Sequence, residues 1–394
     1  MILEKEKLSH VSFLQCSACD RTFPIDRINT FASCEKCQKS PLMVQYEFLS
    51  RLRPESIDLQ ERSMWRYYQM LPVLEKKNIV SLGEGWTPLL NLENLASRYE
   101  LDHLMMKDES QNPTGSFKAR GLSMAVSKAK ELGIEICITP TAGNAGGALS
   151  AYCAKAGMKS IVVMPRHTPN AFKQECLLFG AELILVDGLI SDCARKVAEE
   201  KRERECFDVS TMKEPYRLEG KKTMGYEIAE QLNWNLPDVI LYPTGGGTGL
   251  IGMWKAFHEM IELDWIGDKL PRMIAVQTEN CQPIVQSYKG LQKDASQYQG
   301  SATIANGLAV PNPFAEKLIL KVLRESHGTA LAVADEEIVR SMKEIAAAEG
   351  IIVAPEAAAL LPALKKLLNQ GEIGHHEKIL LLNTGSGYKY LDNL

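Results

Sequence analysis

The sequence lacks the features that mark membrane, secreted or nucleic-acid-binding proteins. Its apolar runs fall short of the roughly 18 residues that a membrane span needs. The net charge is −4, from 45 basic and 49 acidic residues, so the positive excess typical of nucleic-acid-binding proteins is missing. Residues 1–7 are charged and have no apolar signal core. We therefore expect a cytoplasmic protein without membrane or nucleic-acid partners.

Catalytic-metal motifs are also missing, since there is no HxxxH pattern and no carboxylate cluster. Six of the ten cysteines are scattered in apolar or helical contexts, which is typical of reduced thiols. The other four form two CxxC pairs, Cys16 with Cys19 and Cys34 with Cys37. Four thiolates at this spacing indicate a structural Zn²⁺ site in a zinc-ribbon-like module over residues 1–48. Two unrelated pairs of reduced thiols are the alternative.

One lysine stands where its amine would be reactive. Residues 104–107 are predicted to form a buried strand, and apolar residues at helical spacing follow Lys118 as far as Gly133. Lys118 then lies just inside a helix N-terminus, where free backbone N–H groups and the helix dipole lower the pKa of an amine. A deprotonated amine attacks carbonyl groups. A surface lysine in a first helical turn is the alternative.

Two further strand ends carry groups that would complete a cofactor site. The buried strand 379–383 ends at the hydroxyl of Thr384. The apolar strand 239–243 runs into a turn whose backbone amides predict a phosphate cradle, formed by Gly245, Gly246, Gly247, Thr248 and Gly249. An amine, a phosphate cradle and a hydroxyl for a ring nitrogen match pyridoxal 5′-phosphate (PLP). The GxGxxG pattern at 247–252 also fits a dinucleotide site, but the two preceding glycines favour a phosphate cup.

In its motifs the chain resembles the threonine synthase family of fold-type II PLP enzymes, which are similar to the β subunit of tryptophan synthase. The resemblance spans about residues 80–394, and its blocks are residues 83–89, 112–118, 217–223 and 384–385. It implies a PLP-dependent carbon–oxygen lyase of threonine biosynthesis. This enzyme would convert O-phospho-L-homoserine and water to L-threonine and phosphate through a Lys118 aldimine.

The same resemblance nominates the residues around the cofactor and the substrate. Phe117 would lie beside the cofactor, and Asn144 would hydrogen-bond its ring hydroxyl; an N-cap role is the alternative for Asn144. Arg217 and Lys221, or Lys222 in its place, would meet the substrate phosphate, with a surface salt bridge as the alternative for Arg217. The remaining expected substrate contacts are Thr87, Ser116, Thr141 and Gly143.

Three alanines depart from the family's pattern. Ala119 stands where an aspartate is usual, and Ala142 and Ala145 stand where hydroxyl residues are usual. A serine or threonine dehydratase, or a phosphoserine β-replacement enzyme similar to cysteate synthase, is therefore an alternative. A different class is a ribbon-containing nucleic-acid-binding or regulatory protein on a degenerate enzyme scaffold. The retained Arg217 block favours a phosphorylated amino-acid substrate.

Short strands alternate with helices along the chain, which indicates an α/β fold with open parallel sheets. We expect the large PLP domain to comprise residues 49–110 and 210–394, and a smaller mobile α/β domain to comprise residues 111–209. Residues 49–80 are predicted to be a linker with a helix, and residues 286–312 an irregular loop. A homodimer is expected, and Trp65, Tyr67 and Tyr68 belong either to its interface or to the core.

Overall fold

Three sheets carry the fold. The structure is a computed structural model that describes residues 9–26, 31–32, 37, 40–47, 52–291 and 298–393. Within these residues the first sheet is antiparallel and has the order β2-β1-β4-β3. Its strands are β1 (Val11–Cys16), β2 (Thr22–Phe23), β3 (Phe31–Ala32) and β4 (Ser40–Tyr46).

The largest sheet has six strands in the order β13-β12-β11-β14-β6-β5. They are β5 (Leu89–Asn91), β6 (His103–Asp108), β11 (Val239–Pro243), β12 (Arg272–Thr278), β13 (Thr329–Val333) and β14 (Lys378–Asn383). All neighbours pair in parallel except β5, which runs antiparallel to β6 at the edge. The expected open parallel sheet is confirmed, with this one antiparallel edge strand as the difference.

The third sheet is wholly parallel and has the order β10-β7-β8-β9. Its strands are β7 (Ile136–Pro140), β8 (Lys159–Pro165), β9 (Glu182–Val186) and β10 (Phe207–Asp208). The strands of this sheet come from residues 136–208, between the two stretches that build the six-stranded sheet. The domain boundaries given above stay a prediction.

Helices follow the strands and cover the two parallel sheets. They are α1 (Glu93–Arg98), α2 (Lys118–Glu131), α3 (Asn144–Ala156), α4 (Asn170–Leu178), α5 (Ile190–Glu203), α6 (Tyr216–Gln231), α7 (Thr248–Glu262), α8 (Pro283–Tyr288), α9 (Glu316–Glu325), α10 (Asp335–Glu349), α11 (Pro355–Ala358) and α12 (Leu360–Asn369). A 3₁₀ turn, Gly387–Asn393, ends the described chain. None of the helices in the described part of the chain has the length and apolar character that a bilayer span requires.

Two segments differ from their predicted structure. The region before β5 has no α-helix among its described residues but three 3₁₀ turns, Pro54–Ser56, Met64–Met70 and Lys76–Asn78. Trp65 and Tyr67 are buried there within the chain, so the core alternative holds for both, whereas Tyr68 is only partly buried. The segment expected to be irregular from residue 286 begins inside α8, and residues 292–297 lie outside the described part.

A buried ion network joins β6, α2 and α6 behind the carboxyl end of the large sheet. The guanidinium of Arg120 donates to both oxygens of Glu109 at 2.6 and 2.7 Å, and to both oxygens of Glu227 at 2.6 and 2.7 Å. Lys107 donates to Glu227 at 2.9 Å, and all four side chains are fully buried. Burial alone would raise the pKa of Glu227, but Arg120 and Lys107 hold it down at about 2. Glu227 therefore stays ionised beside its two cations.

Replacing Arg120 with methionine is expected to cost about 3–5 kcal/mol of folding free energy, because two buried carboxylates lose their partner. Urea denaturation followed by circular dichroism measures the change. The control is Arg166→Met, since Arg166 pairs with Asp187 on the surface, where both side chains are more than half exposed. That control is expected to leave the midpoint unchanged. Equal midpoints for the two variants would contradict a structural role for the network.

Candidate active site

A cavity of about 450 Å³ lies where the carboxyl ends of the two parallel sheets face each other. Residues that follow β7, β11 and β14 line it, and so does the start of α2, which comes after β6. Ligands of open α/β sheets bind at these strand ends. Ten of the predicted site residues line this one cavity: Phe117, Lys118, Thr141, Gly143, Asn144, Gly245, Gly246, Gly247, Thr248 and Thr384. Apart from the cysteines, the other predicted residues do not line this cavity: Thr87, Ser116, Arg217, Lys221 and Gly249.

Lys118 is the first residue of α2, as the sequence predicts, and its side chain reaches the cavity. Burial and, to a smaller extent, the positive charge of Arg217 lower its pKa from the ordinary lysine value to about 7, while Glu356 opposes the shift. The low pKa therefore has burial as its first cause, ahead of the helix dipole that the sequence suggested. A neutral Lys118 amine is therefore accessible near neutral pH.

The glycine-rich turn between β11 and α7 is too crowded for side chains. A Cβ on Gly245 would overlap the carbonyl oxygen of Gly307, and a Cβ on Gly246 would lie 2.6 Å from Cγ2 of Thr211. Gly247 has a φ of +75°, which favours glycine. The turn therefore exposes bare backbone to the cavity at the N-terminus of α7, where free N–H groups bind phosphate. These residues fit the phosphate of PLP.

Gly249 supports the same turn from behind the cavity wall. A Cβ there would overlap the hydroxyl of Tyr242, which lines the cavity. The Tyr242 ring meets the Phe117 ring edge to face, with centroids 6.3 Å apart. Because Phe117 directly precedes Lys118, this contact fixes the start of α2 against the glycine turn.

Asn144 and Thr384 line the cavity after β7 and β14, respectively. Gly143 is the N-cap of α3 and Asn144 its first helical residue, so the N-cap alternative for Asn144 is wrong. The carbonyl of Thr384 accepts a hydrogen bond from the Phe117 N–H at 3.1 Å. The hydroxyl of Thr141 is already engaged with the backbone of Gly143, at 3.1 and 3.2 Å.

Two residues expected to contact the substrate, Thr87 and Ser116, do not line the cavity. Thr87 has hydrogen-bond partners in the protein, and Ser116 has none among the described residues. The hydroxyl of Thr87 donates to Glu109 at 2.7 Å and accepts from Arg120 at 3.3 Å, so it belongs to the buried ion network. The hydroxyl of Ser116 is fully buried, and it has no hydrogen-bond partner within the described residues. Neither side chain lines the cavity.

Arg217 and Lys221 lie one turn apart on α6, buried next to Lys118. Arg217 is 1% exposed, which excludes a surface salt bridge, and its Nη1 donates to the Val209 carbonyl at 2.6 Å. Among the described residues neither Arg217 Nε nor Lys221 Nζ has a hydrogen-bond partner. Burial lowers the pKa of Lys221, and the charges of Arg217 and Lys118 lower it further. The neighbouring Lys222 differs, because Glu219 and Glu259 pair with it.

Glu214 does not neutralise this pair. Its carboxylate accepts from the backbone N–H groups of Tyr216 and Arg217 at 2.7 and 3.0 Å rather than from the guanidinium. Burial raises its pKa to about 7, against the opposing charge of Arg217. Glu214 therefore leaves Arg217 Nε and Lys221 Nζ without a hydrogen-bonded carboxylate among the described residues, and an anion would supply the missing acceptor.

Glu356 is a cavity residue that the sequence reasoning missed. It sits in α11, accepts from the Gly307 N–H at 2.7 Å and from the Tyr390 hydroxyl at 3.0 Å, and is 6% exposed. Burial raises its pKa, although these hydrogen bonds and the charge of Lys118 oppose the shift. A signal was available, because Glu356 is the one charged residue in an alanine- and leucine-rich run from 351 to 364.

The cysteine module is only partly described. The Sγ atoms of Cys16, Cys19 and Cys37 lie within 4.8 Å of one another, and those of Cys16 and Cys37 are 3.5 Å apart. Cys34, the fourth predicted ligand, lies outside the described residues. Three converging thiols at the end of a small antiparallel sheet fit three corners of a tetrahedral zinc site.

The fold and the cavity define an α/β enzyme with a reactive lysine beside a phosphate cradle. Residues 80–385 match the family model described as "Pyridoxal-phosphate dependent enzyme", and the chain belongs to that family. It is 36% identical over 377 residues to the threonine synthase of Methanocaldococcus jannaschii, covering 95% of this chain and 92% of that one. The threonine synthase of Methanosarcina acetivorans is 35% identical over 374 residues, covering 94% and 91%.

Solved structures agree on the fold. Diaminopropionate ammonia lyase from Escherichia coli superposes with a TM-score of 0.67 at 19% identity, covering 86% of this chain and 91% of that chain. Maize serine racemase gives 0.66 at 22% identity, covering 78% and 93%. At these identities the likeness concerns the fold alone.

The capture of PLP by Lys118 is expected to follow a titration near pH 7, because only the neutral amine reacts. The measurement is the rate at which visible absorbance appears when PLP is added to cofactor-free protein at a series of pH values. In Arg217→Met the midpoint moves upward, since a positive charge that lowers the Lys118 pKa is gone. The surface variant Lys196→Met serves as the control and keeps the wild-type midpoint. A midpoint near the ordinary lysine value in the wild type contradicts the assignment.

Proposed function

We propose that the chain is a threonine synthase that converts O-phospho-L-homoserine and water to L-threonine and phosphate. The observation that carries the proposal is the pair of buried cations, Arg217 and Lys221, beside a cavity that already has a separate phosphate cradle. The cradle at Gly245–Thr248 suits the phosphate of PLP, so the second cluster of positive charge is left for a second phosphate. The named relatives support the same reaction.

The side chains of the cavity have distinct tasks in this reaction. Bound PLP supplies the electron sink that lets the substrate lose its Cα proton. Lys118, with its pKa near 7, accepts and returns protons at the substrate carbons. Thr384 offers an uncharged hydroxyl to the ring, which favours elimination and replacement over transamination. Arg217 and Lys221 orient the substrate phosphate and stabilise the negative charge that develops as phosphate leaves.

The three alanines that depart from the family's pattern have different surroundings. Ala119 is fully buried among apolar side chains, where a carboxylate would need a new partner. Ala142 and Ala145 line the cavity and make that wall apolar. Their lack of hydroxyl groups keeps the dehydratase and phosphoserine β-replacement alternatives open to test. Both serine and threonine lack the phosphate that the buried cations would bind.

Purified PLP-loaded protein is expected to release phosphate and threonine in equal amounts from O-phosphohomoserine. Serine, threonine and phosphoserine run in parallel, with phosphate and keto acid as the measured products. Keto acid from serine or threonine would establish a dehydratase instead. Phosphate from phosphoserine alone would establish a β-replacement enzyme on the same scaffold.

Lys221→Met separates a ligand-binding role from a structural one. The variant is expected to raise the KM for O-phosphohomoserine about tenfold or more, since a charge-assisted hydrogen bond contributes about 1.5–3 kcal/mol. At the same time its melting temperature without substrate is expected to rise, because a buried polar group without a hydrogen-bond partner among the described residues is removed. Arg202→Met, at an exposed position of α5, is the control for both measurements. A lower melting temperature with an unchanged KM would show that Lys221 is structural.

We also propose that Cys16, Cys19, Cys34 and Cys37 hold one structural Zn²⁺. Strand β4 of this module is fixed to the enzyme, because the Tyr46 hydroxyl donates to Glu219 at 2.8 Å and Lys255 donates to the Val44 carbonyl at 2.5 Å. Closed four-thiolate sites contribute folding energy rather than catalysis.

Chelation of the native protein is therefore expected to release one Zn²⁺ per chain and to lower the melting temperature while PLP stays bound. Metal analysis and thermal denaturation measure the two effects. Cys16→Ser is expected to lose the metal, whereas Cys206→Ser, outside the module, keeps it. A metal-free protein of unchanged stability would contradict the site.

A further inference from the structure

The C-terminal 3₁₀ turn places a lysine against the cofactor side of the cavity. The Nζ of Lys389 donates to the Thr114 carbonyl at 2.7 Å, to Oδ1 of Asn144 at 3.1 Å and to both oxygens of Glu175 at 2.9 and 2.8 Å. An ammonium has three N–H donors, and here they face three acceptor groups from three separate elements. Only 17% of the Lys389 side chain is exposed.

The contact with Asn144 determines which way its side-chain amide points. Lysine is a pure donor, so it selects the oxygen of the amide and turns the NH₂ group away. The Nδ2 of Asn144 then lies toward Gly385, 3.4 Å from the position that a Cβ on this glycine would take. Gly385 lines the cavity together with Thr384. The donor end of Asn144 therefore lies beside Gly385 at the cavity.

The contact with Thr114 supports the turn that leads into Lys118. Thr114 has a φ of +60°, a left-handed conformation that is unfavourable for a residue with a branched Cβ. Its carbonyl accepts from Lys389, and the next carbonyl, that of Gly115, accepts from the Ser386 N–H at 2.8 Å. The C-terminal segment thus braces the strained turn at two successive carbonyls.

Glu175 completes the arrangement from α4. Its carboxylate neutralises Lys389, and the space for it exists because α3 has glycine at position 147, where a Cβ would overlap the Glu175 carboxylate. Lys389 therefore connects α3, α4 and the turn before α2, all of which border the cavity.

We propose that Lys389 is a positioning residue of the cofactor site, which holds the Asn144 amide with its NH₂ group toward the PLP ring hydroxyl and braces the turn before Lys118. The proposal concerns the cofactor, so it does not depend on which amino acid is the substrate.

The test compares Lys389→Met, Asn144→Ala and the double variant by PLP affinity and by the visible absorption spectrum of the bound cofactor across pH. Lys389→Met is expected to bind PLP about tenfold more weakly, because the charge-assisted hydrogen bond that orients Asn144 is lost. The absorption band of the bound cofactor is also expected to shift. Because Lys389 acts through Asn144, the double variant is expected to resemble Asn144→Ala more closely than the sum of the two single changes. Additive effects, or an unchanged spectrum in Lys389→Met, overturn the proposal.

Lys389→Gln guards against a folding defect, since its amide still offers an N–H donor. Lys389→Gln is expected to restore much of the wild-type spectrum even if Lys389→Met is unstable. If Lys389→Gln has wild-type stability but the spectrum of Asn144→Ala, the proposal is also overturned. Lys173→Met, in the same helix as Glu175, is the matched control. Lys173 donates only to the Arg166 carbonyl on the surface, so its replacement is expected to change neither readout.

Discussion

The paired salt bridges of Arg120 set the geometry on which the cavity depends. Arg120 lies on α2, two residues after Lys118, and it forms salt bridges with Glu227 on α6 and with Glu109 after β6. The same helix α6 carries Arg217 and Lys221. A bidentate guanidinium fixes orientation as well as distance. The reactive amine and the buried cations are therefore held at a set separation by charges that never touch the cavity.

The buried cationic side chains have two different kinds of surroundings. Around Arg120 and Lys107 the two cations have two carboxylates, and the group is neutral as a whole. Around Lys118, Arg217 and Lys221 the described residues offer the cations no comparable neutralisation, and the pKa values of all three are lowered. Unpaired buried charge costs stability, so it persists where a ligand supplies the missing partner. This contrast supports the proposal that the second cluster binds an anionic ligand.

Local motifs were enough to predict some of the residues that line the cavity. Lys118, Thr384 and the glycines of the cradle each follow a strand, and parallel strands bring their carboxyl ends together whatever the loops contain. Glu356 and Lys389 were missed because their roles depend on pairing across the fold: Glu356 meets Gly307, and Lys389 meets Asn144, 245 positions away in sequence. Thr87 lies in a family block, yet its hydroxyl serves Arg120. The 3₁₀ turns before β5 owe their form to burial of Trp65 and Tyr67 against other elements, which no local period reveals.

Helix α6 also relates the cysteine module to the active site. Arg217 and Lys221 are four residues apart and share the face toward Lys118, whereas Glu219 and Lys222 are three apart and share another face. Glu219 accepts from Tyr46 of the module at 2.8 Å, and Lys222 lies 3.9 Å from the centre of the Tyr46 ring. The module therefore supports α6 on a different face from the one that carries Arg217 and Lys221. Because Arg217 Nε and Lys221 Nζ have no hydrogen-bond partner among the described residues, the position of both side chains depends on the rigidity of α6, to which the cysteine module contributes.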